Sequence, residues 1–262
     1  MVQHCYSPGN HETQSYKKLK KFCFCRGDKK FYACSTFRDR KDCDFYLEFG
    51  GKISQKKMSI IKQNCVKLKE QNNFHESALK LKQFKESSET RISFCQHCNK
   101  VSEDKCLAEE SHKSVLLTKD DLKSPVRILN PKSKNKKEAQ YFFSEETTKF
   151  LSETVKRLKF THVLCVGCPS IFEVLSSSVT SVLLDIDARF KNFYSQHQFI
   201  WSNVFNNHFF DGEVGAKTLE NFLIGCENLL IIIDPPFGVK TELIHHALKR
   251  IKTQLGECEY RS

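Results

Sequence analysis

The second half of the chain alternates short apolar runs with amphipathic stretches, the pattern of a parallel α/β sheet. Four apolar runs predict strands, at Thr161–Val166, Ser181–Leu184, Phe199–Val204 and Leu229–Ile233. Helical spacing of apolar residues predicts helices after Ser144, from Ser170, over Glu213–Cys226 and over Thr241–Leu255. The fold class predicted from this pattern is α/β.

The first half lacks this alternation and predicts small β-rich modules. Two short aromatic runs, Leu19–Cys25 and Lys29–Ser35, flank a turn at Arg26-Gly27-Asp28 and predict a β-hairpin. Lysine-rich stretches separate the cysteine clusters from one another. We therefore expect small modules at 1–49 and 94–121, basic connecting segments at 50–93 and 122–138, and the α/β domain at 139–262.

The positive charge of the chain is concentrated in its first half. Residues 1–150 hold 31 Lys and Arg against 19 Asp and Glu, a net charge of +12, whereas residues 151–262 hold 11 against 12, a net charge of −1. A basic half beside a near-neutral half is typical of a nucleic-acid-binding region joined to a catalytic or binding domain. The alternative is a lysine-rich solvated surface.

The thirteen cysteines point to zinc. The first residues carry no apolar signal-peptide core, and no apolar run approaches the roughly 18–20 residues of a membrane span. We therefore expect an intracellular, soluble protein without a membrane partner. In such a protein, clustered cysteines bind metal more often than they form disulfides.

Cys34 and Cys43 bracket an exposed, charged stretch and are candidate zinc ligands in the first module. The motif Phe-Tyr-Ala-Cys followed by Arg-Asp-Arg-Lys-Asp-Cys-Asp-Phe resembles a GRF-type zinc finger, a family in which four Cys or His ligands hold a small sheet that contacts nucleic acid. The upstream ligand pair has two alternatives. We prefer Cys5 with His11, because they leave a loop long enough to carry the sheet, over Cys23 with Cys25.

A second zinc site is predicted around a Cys-x-x-Cys motif. Cys95 and Cys98 have the spacing of a zinc knuckle, and Cys106 and His112 follow at the distance expected of a second ligand pair. His97 lies between the two cysteines and is the weaker ligand candidate. A redox dithiol is the alternative, but no βαβ pattern surrounds the motif.

The Leu229–Ile233 strand ends in Asp234-Pro235-Pro236-Phe237, which is the strongest chemical signal in the chain. Two prolines cannot continue a sheet, so this segment must leave it at the carboxyl end of the strand, where α/β sheets bind ligands. The motif resembles the catalytic motif of S-adenosylmethionine-dependent adenine N6-methyltransferases. Asp234 and the Pro235 carbonyl would accept the N6 hydrogens, and Phe237 would stack on the base.

Two further positions fit such an enzyme in order along the chain. The first strand ends at Gly167, where a glycine allows close approach of a cofactor, and the second ends at Asp185 and Asp187, either of which is a candidate acceptor for ribose hydroxyls. The single glycine is a weak signal by itself. The order of glycine, acid and Asp-Pro-Pro-Phe is a much stronger one.

Seven short motifs, in order, resemble those of the CCHC-zinc-finger-containing ribosomal RNA adenine N6-methyltransferases. They include Phe-Cys-Gln-x-Cys, Ala-Gln-Tyr-x-Phe, Leu-Leu-Asp-Ile-Asp, Phe-Asn-x-His-Phe-Phe-Asp-Gly and Asp-Pro-Pro-Phe-Gly. The resemblance implies a Rossmann-like domain, S-adenosylmethionine, two structural zinc ions and a basic surface for an rRNA stem-loop. The cofactor contacts that it implies are Gln140, Tyr141, Phe142, Phe143, Gly167, Pro169, Ser170, Asp185, Asp187, Phe205, Asn206 and Asp234.

The sequence ends about 25 residues after the motif, whereas such a domain continues with a fifth strand and a hairpin. We therefore expect a domain incomplete at its C-terminus, from a fragment or a shortened copy. Alternative functions are adenine N6-methylation of another nucleic acid, methylation of protein glutamine, and RNA binding by an inactive methyltransferase fold. The expected location is the nucleus or nucleolus, with the cytoplasm as the alternative.

Overall fold

The computed structural model describes residues 23–26, 29–33, 46–48, 75–86, 91–103, 106, 111–131, 140–224 and 226–254, with isolated positions between 51 and 70. Backbone contacts group the chain into two compact units. One contains residues 1–73 with 206–208, and the other contains residues 74–205 and 209–262.

The first unit contains a three-stranded antiparallel sheet. Its strands are β1 (Cys23–Arg26), β2 (Lys29–Ala33) and β3 (Tyr46–Glu48), in the order β1-β2-β3. Pairing of Arg26 with Lys29 closes the β1–β2 hairpin at the turn that the sequence predicts. The backbone of this small module is therefore β-rich, as expected.

The second unit begins with helix α1 (His75–Glu86) and another small antiparallel sheet. The strands are β4 (Ile92–Cys95), β5 (Lys100–Glu103) and β6 (Ser114–Leu116), with β4 in the centre. Every residue of β4 is buried, α1 packs against β5, and the α1 side chains Leu81 and Phe84 are buried. This helix lies in the 50–93 segment, which was predicted as a basic connection.

The larger part of the second unit is a layered α/β domain. In chain order its elements are α2 (Glu145–Arg157), β7 (His162–Val166), α3 (Pro169–Leu175), β8 (Thr180–Asp185), β9 (Phe199–Asn203), β10 (His208–Phe209), α4 (Glu213–Leu223), β11 (Leu229–Ile233) and α5 (Thr241–Gln254). Ser144 caps α2 by accepting a hydrogen bond from the backbone N–H of Thr147. Each of the four predicted strands is present within two residues of its predicted bounds.

The main sheet has the strand order β10-β9-β8-β7-β11, and β11, β7, β8 and β9 pair in parallel. Because β11 lies on the opposite side of β7 from β8, the order reverses at β7. In open α/β sheets ligands bind at the carboxyl ends of the strands beside such a reversal. The core on one sheet face is formed by Leu164, Val166, Val182, Leu184, Ile200, Leu219, Leu223 and Ile251. The predicted α/β fold class is confirmed.

The segment predicted as a basic linker, 122–138, differs in its first ten residues. Leu122, Ile128 and Leu129 are buried, and a 3-10 helix spans Pro125–Arg127. The backbone N–H of Val126 donates a hydrogen bond to the Glu173 carboxylate on α3, at 2.9 Å. This part is therefore packed into the core. The sequence pattern predicted a linker because lysines and prolines interrupt the apolar residues.

Glu173 makes the stability of this packing depend on pH. The same carboxylate oxygen also accepts a hydrogen bond from the Tyr194 hydroxyl, at 3.0 Å, and burial raises the pKa of Glu173 from 4.5 to about 7. The folded protein binds a proton at Glu173 that the unfolded chain releases at lower pH. Stability therefore falls as pH rises from about 4.5 to about 7.

The Glu173→Gln variant is expected to be more stable than the natural chain at pH 8, by about 1–3 kcal/mol, and to lose this pH dependence. A glutamine carbonyl can accept both hydrogen bonds without a buried charge. Thermal unfolding at pH 5 and pH 8 measures the effect, and Glu153→Gln on the exposed face of α2 is the control. A Glu173→Gln protein no more stable than the natural chain at pH 8 would contradict this account.

Within the described residues, no helix combines the length and the apolar character that crossing a membrane requires.

Candidate active site and metal centre

The ends of β7 and β11 meet at Gly167 and Asp234. The Gly167 N–H donates to Leu184 on β8, and the Asp234 N–H donates to Val166 on β7, both at 2.9 Å. Gly167 has φ +69°, and a Cβ atom added there would lie 2.8 Å from the Asp234 carbonyl oxygen. Only glycine fits this contact, so the glycine turn and the Asp-Pro-Pro-Phe motif form one packed edge of the sheet.

Gly167→Ala is expected to weaken S-adenosylmethionine binding about tenfold or more, because the added methyl group pushes Asp234 and the turn apart. Gly212→Ala is the matched control. Gly212 also has positive φ, +66°, but no atom lies within 4 Å of an added Cβ. Calorimetric titration should show normal affinity for Gly212→Ala, whose cost is backbone strain of about 1–3 kcal/mol. Equal affinity in the two variants would contradict the close-contact argument.

In the Asp-Pro-Pro-Phe loop the acid is half-buried and the aromatic ring is exposed. Asp234 is half-buried, and burial raises the pKa of its carboxyl above the usual value. Phe237 is fully exposed, at 105% of its reference area. Pro236 accepts a hydrogen bond from the Val239 N–H, and Gly238 has φ +76°. The loop therefore combines a solvent-exposed ring, Phe237, with a carboxylate, Asp234, that is partly shielded from water.

The two acids after β8 have different surroundings. Asp185 is buried, and its Oδ1 accepts a hydrogen bond from the Asp187 N–H at 2.8 Å. Asp187 is 2% exposed, and both its oxygens accept from the Arg189 guanidinium. It also accepts from the Gln140 amide at 3.3 Å. The structure thus brings Gln140 to the predicted acids, and gives Asp187 a cation that the sequence pattern did not reveal.

The turn after β7 fits a small polar ligand. Pro169 begins α3, and the Ser170 hydroxyl beside it is buried without a hydrogen-bond partner among the described residues. An orphaned buried hydroxyl, a glycine too tight for any Cβ and an acid at the next strand suit a nucleoside-containing cofactor. Cys168, which the sequence pattern did not single out, is buried, and its thiol donates a hydrogen bond to the Ile232 carbonyl at 3.4 Å.

The remaining predicted cofactor residues have fewer described contacts. Tyr141 is largely exposed, and Phe142 and Phe143 are half-buried. Phe205 follows β9, and its carbonyl accepts a hydrogen bond from Arg250 at 2.8 Å. Asn206 is buried and accepts from the His208 N–H. Their roles toward a cofactor stay predictions.

The predicted Cys/His zinc ligands converge. The Sγ atoms of Cys95, Cys98 and Cys106 and the Nδ1 atom of His112 all lie within 4.8 Å of one another. Cys98 Sγ lies 3.7 Å from Cys106 Sγ and 3.3 Å from His112 Nδ1. A tetrahedral zinc ion separates two sulfurs by about 3.8 Å and a sulfur from a nitrogen by about 3.5 Å. The spacing therefore suits zinc.

The protein backbone holds this cluster in the manner of a zinc knuckle. Cys95 ends β4, and its Sγ accepts a hydrogen bond from the Cys98 N–H at 3.3 Å. Asn99 adopts φ +56° to close the turn. Burial, followed by the neighbouring thiols, raises the pKa of Cys98 to about 12, so the thiolate form needs a bound cation. His97 stacks on His112 at 4.2 Å and lies outside the cluster.

The ligands predicted for the first zinc site, Cys5, His11, Cys34 and Cys43, lie outside the described residues. The alternative pair, Cys23 and Cys25, lies in β1, and its side chains are likewise outside the description. Both ligand sets stay predictions.

A family model described as a probable N6-adenine methyltransferase matches residues 134–260. A Xenopus tropicalis protein named rRNA N(6)-adenosine-methyltransferase ZCCHC4 is 32% identical over 243 residues, which cover 86% of this chain and 48% of the relative. The Homo sapiens protein of that name is 31% identical over 235 residues, 85% of this chain and 46% of the relative. The Bos taurus protein is 32% identical over 240 residues, 85% and 46%.

The chain spans about half the length of the curated relatives it matches. The matched family domain includes Gly167, both acids after β8 and the Asp-Pro-Pro-Phe motif. The predicted family resemblance is confirmed. Residues 134–260 match the N6-adenine methyltransferase family, and over most of its own length the chain is similar to proteins named rRNA N6-adenosine-methyltransferases.

Proposed function

We propose that the chain transfers a methyl group from S-adenosylmethionine to N6 of an adenosine in large-subunit ribosomal RNA. The observation that carries this proposal is the packing of Asp234 against Gly167 at the reversal of strand order. This contact joins the predicted catalytic loop to the predicted cofactor turn. The family domain supports adenine N6 as the acceptor, and the names of the relatives support rRNA as the substrate.

The reaction needs hydrogen-bond acceptors more than it needs a base. The adenine amine is a poor nucleophile because its lone pair is delocalised into the ring, and S-adenosylmethionine supplies an electrophilic methyl group. Asp234 and the Pro235 carbonyl accept hydrogen bonds from the N6 hydrogens and stabilise positive charge as it develops on nitrogen. As the new N–CH3 bond forms, the S–CH3 bond breaks and S-adenosylhomocysteine leaves, and the surplus proton on N6 is released to solvent. A carboxylate partly removed from water is the stronger acceptor, which suits the half-buried position of Asp234.

Phe237 and Gly238 shape the place of the base. An exposed ring next to the acceptors can stack on an adenine that has left its helix, as aromatic side chains do with unstacked bases. Gly238 has open space around an added Cβ, so it leaves room for the base. For the cofactor, the turn at Gly167 would allow close approach to the backbone, and an acid after β8 would accept hydrogen bonds from the ribose hydroxyls.

The substrate RNA is bound by the basic first half of the chain in this proposal. Residues 1–150 carry the net charge of +12, and phosphate contacts supply most of the affinity in such complexes. Zinc ions in the Cys95–His112 finger and in the GRF-like module maintain that surface. The proposed location is the nucleus or nucleolus, with the cytoplasm as the alternative.

The substrate class is tested by offering S-adenosylmethionine with a labelled methyl group and three acceptors: large-subunit rRNA, double-stranded DNA and total protein. We expect the natural chain to label rRNA and the Asp234→Ala variant to leave it unlabelled. Label in DNA or protein, and not in rRNA, would favour the hypotheses of DNA adenine methylation or protein methylation. RNA binding without any S-adenosylmethionine binding, at calorimetric concentrations, would select an inactive fold that binds RNA.

A further inference from the structure

A buried arginine lies next to the predicted cofactor site and has no role in the mechanism above. Arg189 is 9% exposed and sits in a 3-10 helix, Ala188–Asn192, directly after the acids of β8. Its Nε lies 3.0 Å from each oxygen of Asp187, and a terminal nitrogen lies 2.6 Å from Oδ2. A cation is seldom buried unless all its donors are used.

The other donors of Arg189 join two further segments to this turn. One terminal nitrogen donates to the Asn130 carbonyl at 2.9 Å, which holds the end of the 122–131 segment. The other donates to Gln140 Oε1 at 2.9 Å, while Gln140 Nε2 donates to Asp187 Oδ2 at 3.3 Å. Both ends of the Gln140 amide are therefore fixed by one ion pair.

This ion pair also separates the roles of the two acids. Asp187 caps the 3-10 helix through the Arg189 N–H, and both its oxygens face the guanidinium. Its carboxylate is thereby neutralised and shielded. Its backbone N–H orients Asp185, the acid that ends β8 at the ligand-binding edge.

The 3-10 helix is in turn supported by the zinc finger. Asn192 donates to the carbonyl of Asn99, the residue that follows Cys98, at 3.0 Å. The Phe193 ring packs on Phe94 of β4 with centroids 5.6 Å apart. Arg189 thus belongs to an element that contacts the Cys/His module and directly follows the sheet strand β8.

We propose that Arg189 is a positioning residue for the cofactor. It fastens the Gln140–Phe143 segment to the carboxyl end of β8 and assigns the ribose hydroxyls to Asp185 and not to Asp187. The proposal rests on the proposed function, since it concerns S-adenosylmethionine at the same site. Arg189 acts through Gln140 and the acids and does not touch the reacting atoms.

The test uses a pair of substitutions that remove both charges together. Arg189→Met alone leaves the buried Asp187 carboxylate without its cation, which is strongly destabilising, whereas Arg189→Met with Asp187→Asn replaces the ion pair by neutral groups of similar size. Asparagine also preserves the helix cap. Gln140→Ala is the second variant, because a half-exposed side chain can be shortened without unfolding the chain.

Binding of S-adenosylhomocysteine by calorimetry, KM and kcat for S-adenosylmethionine, and melting temperature are measured for each variant. Each variant is expected to raise the dissociation constant and KM about tenfold, with kcat at saturating cofactor within about twofold. Adding Gln140→Ala to the charge-pair variant is expected to cause no further loss of affinity, because both changes break the same contact between Gln140 and the ion pair.

Normal affinity in Gln140→Ala or in the charge-pair variant would overturn the proposal, as would fully additive losses in the triple variant. If the natural chain binds no S-adenosylmethionine, the proposed function fails together with this inference. If the natural chain binds it and the variants bind it equally well, the positioning role alone is refuted. A purely structural Arg189 would lower the melting temperature without this rise in KM.

Discussion

Asp234→Ala is expected to lower kcat for RNA methylation about 10²- to 10³-fold or more, the largest effect on activity of any single substitution proposed. In the proposed mechanism the carboxylate is the acceptor placed where positive charge develops, and loss of one such preorganised partner typically has this size. The fold should persist, because the Asp234 contact with Val166 is made by the backbone N–H. Binding of S-adenosylmethionine should weaken far less than kcat.

Single-turnover transfer of labelled methyl to rRNA measures this effect without interference from product release. Asp120→Ala is the matched control, since Asp120 is an exposed acid that pairs with Lys123 at the surface. The catalytic assignment is wrong if Asp234→Ala methylates RNA at a rate close to that of the Asp120→Ala protein.

His112→Ala is expected to lose one zinc ion per chain and to lower the melting temperature by about 10 °C or more. Structural zinc contributes about 10 kcal/mol or more to the folding of small modules. The finger that it holds also packs on the α/β domain through the Asn99–Asn192 hydrogen bond and the Phe94–Phe193 contact. Unfolding of this module after loss of the ion would therefore expose apolar surface on the module and on the α/β domain.

His97→Ala is the matched control for the zinc prediction. The two histidine rings stack on each other, but only His112 places a nitrogen within the thiol cluster. His97→Ala should retain the zinc content of the natural chain and melt within a few degrees of it. Elemental analysis of the purified variants decides the question: equal zinc in His112→Ala and the natural chain would exclude His112 as a ligand.

The sequence predicted the sheet well because its strands are punctuated by residues with strong backbone preferences. The Leu229–Ile233 strand was predicted at its observed bounds, since two prolines end the ladder and an apolar run precedes them. The convergence of Cys95, Cys98, Cys106 and His112 was equally accessible to prediction, because side chains that bind one metal ion need fixed spacings.

Other features depended on long-range contacts that no local pattern encodes. Lysines around Leu122, Ile128 and Leu129 masked a buried segment as a linker. Asp185 and Asp187 were equivalent in the sequence, because both follow one strand, and only the position of Arg189 separates them. Gln140 forms a hydrogen bond with Asp187 although 47 residues separate them in the chain, and sequence periodicity cannot predict a contact over that separation.

The most direct test of the central claim is mass spectrometry of nucleosides from large-subunit rRNA after incubation with the chain and S-adenosylmethionine carrying a deuterated methyl group. A deuterated methyl group on N6 of adenosine is expected, and it should be absent when the Asp234→Ala variant is used. No labelled nucleoside from a protein that binds the cofactor and the RNA, or label on a base other than adenine, would contradict the central claim.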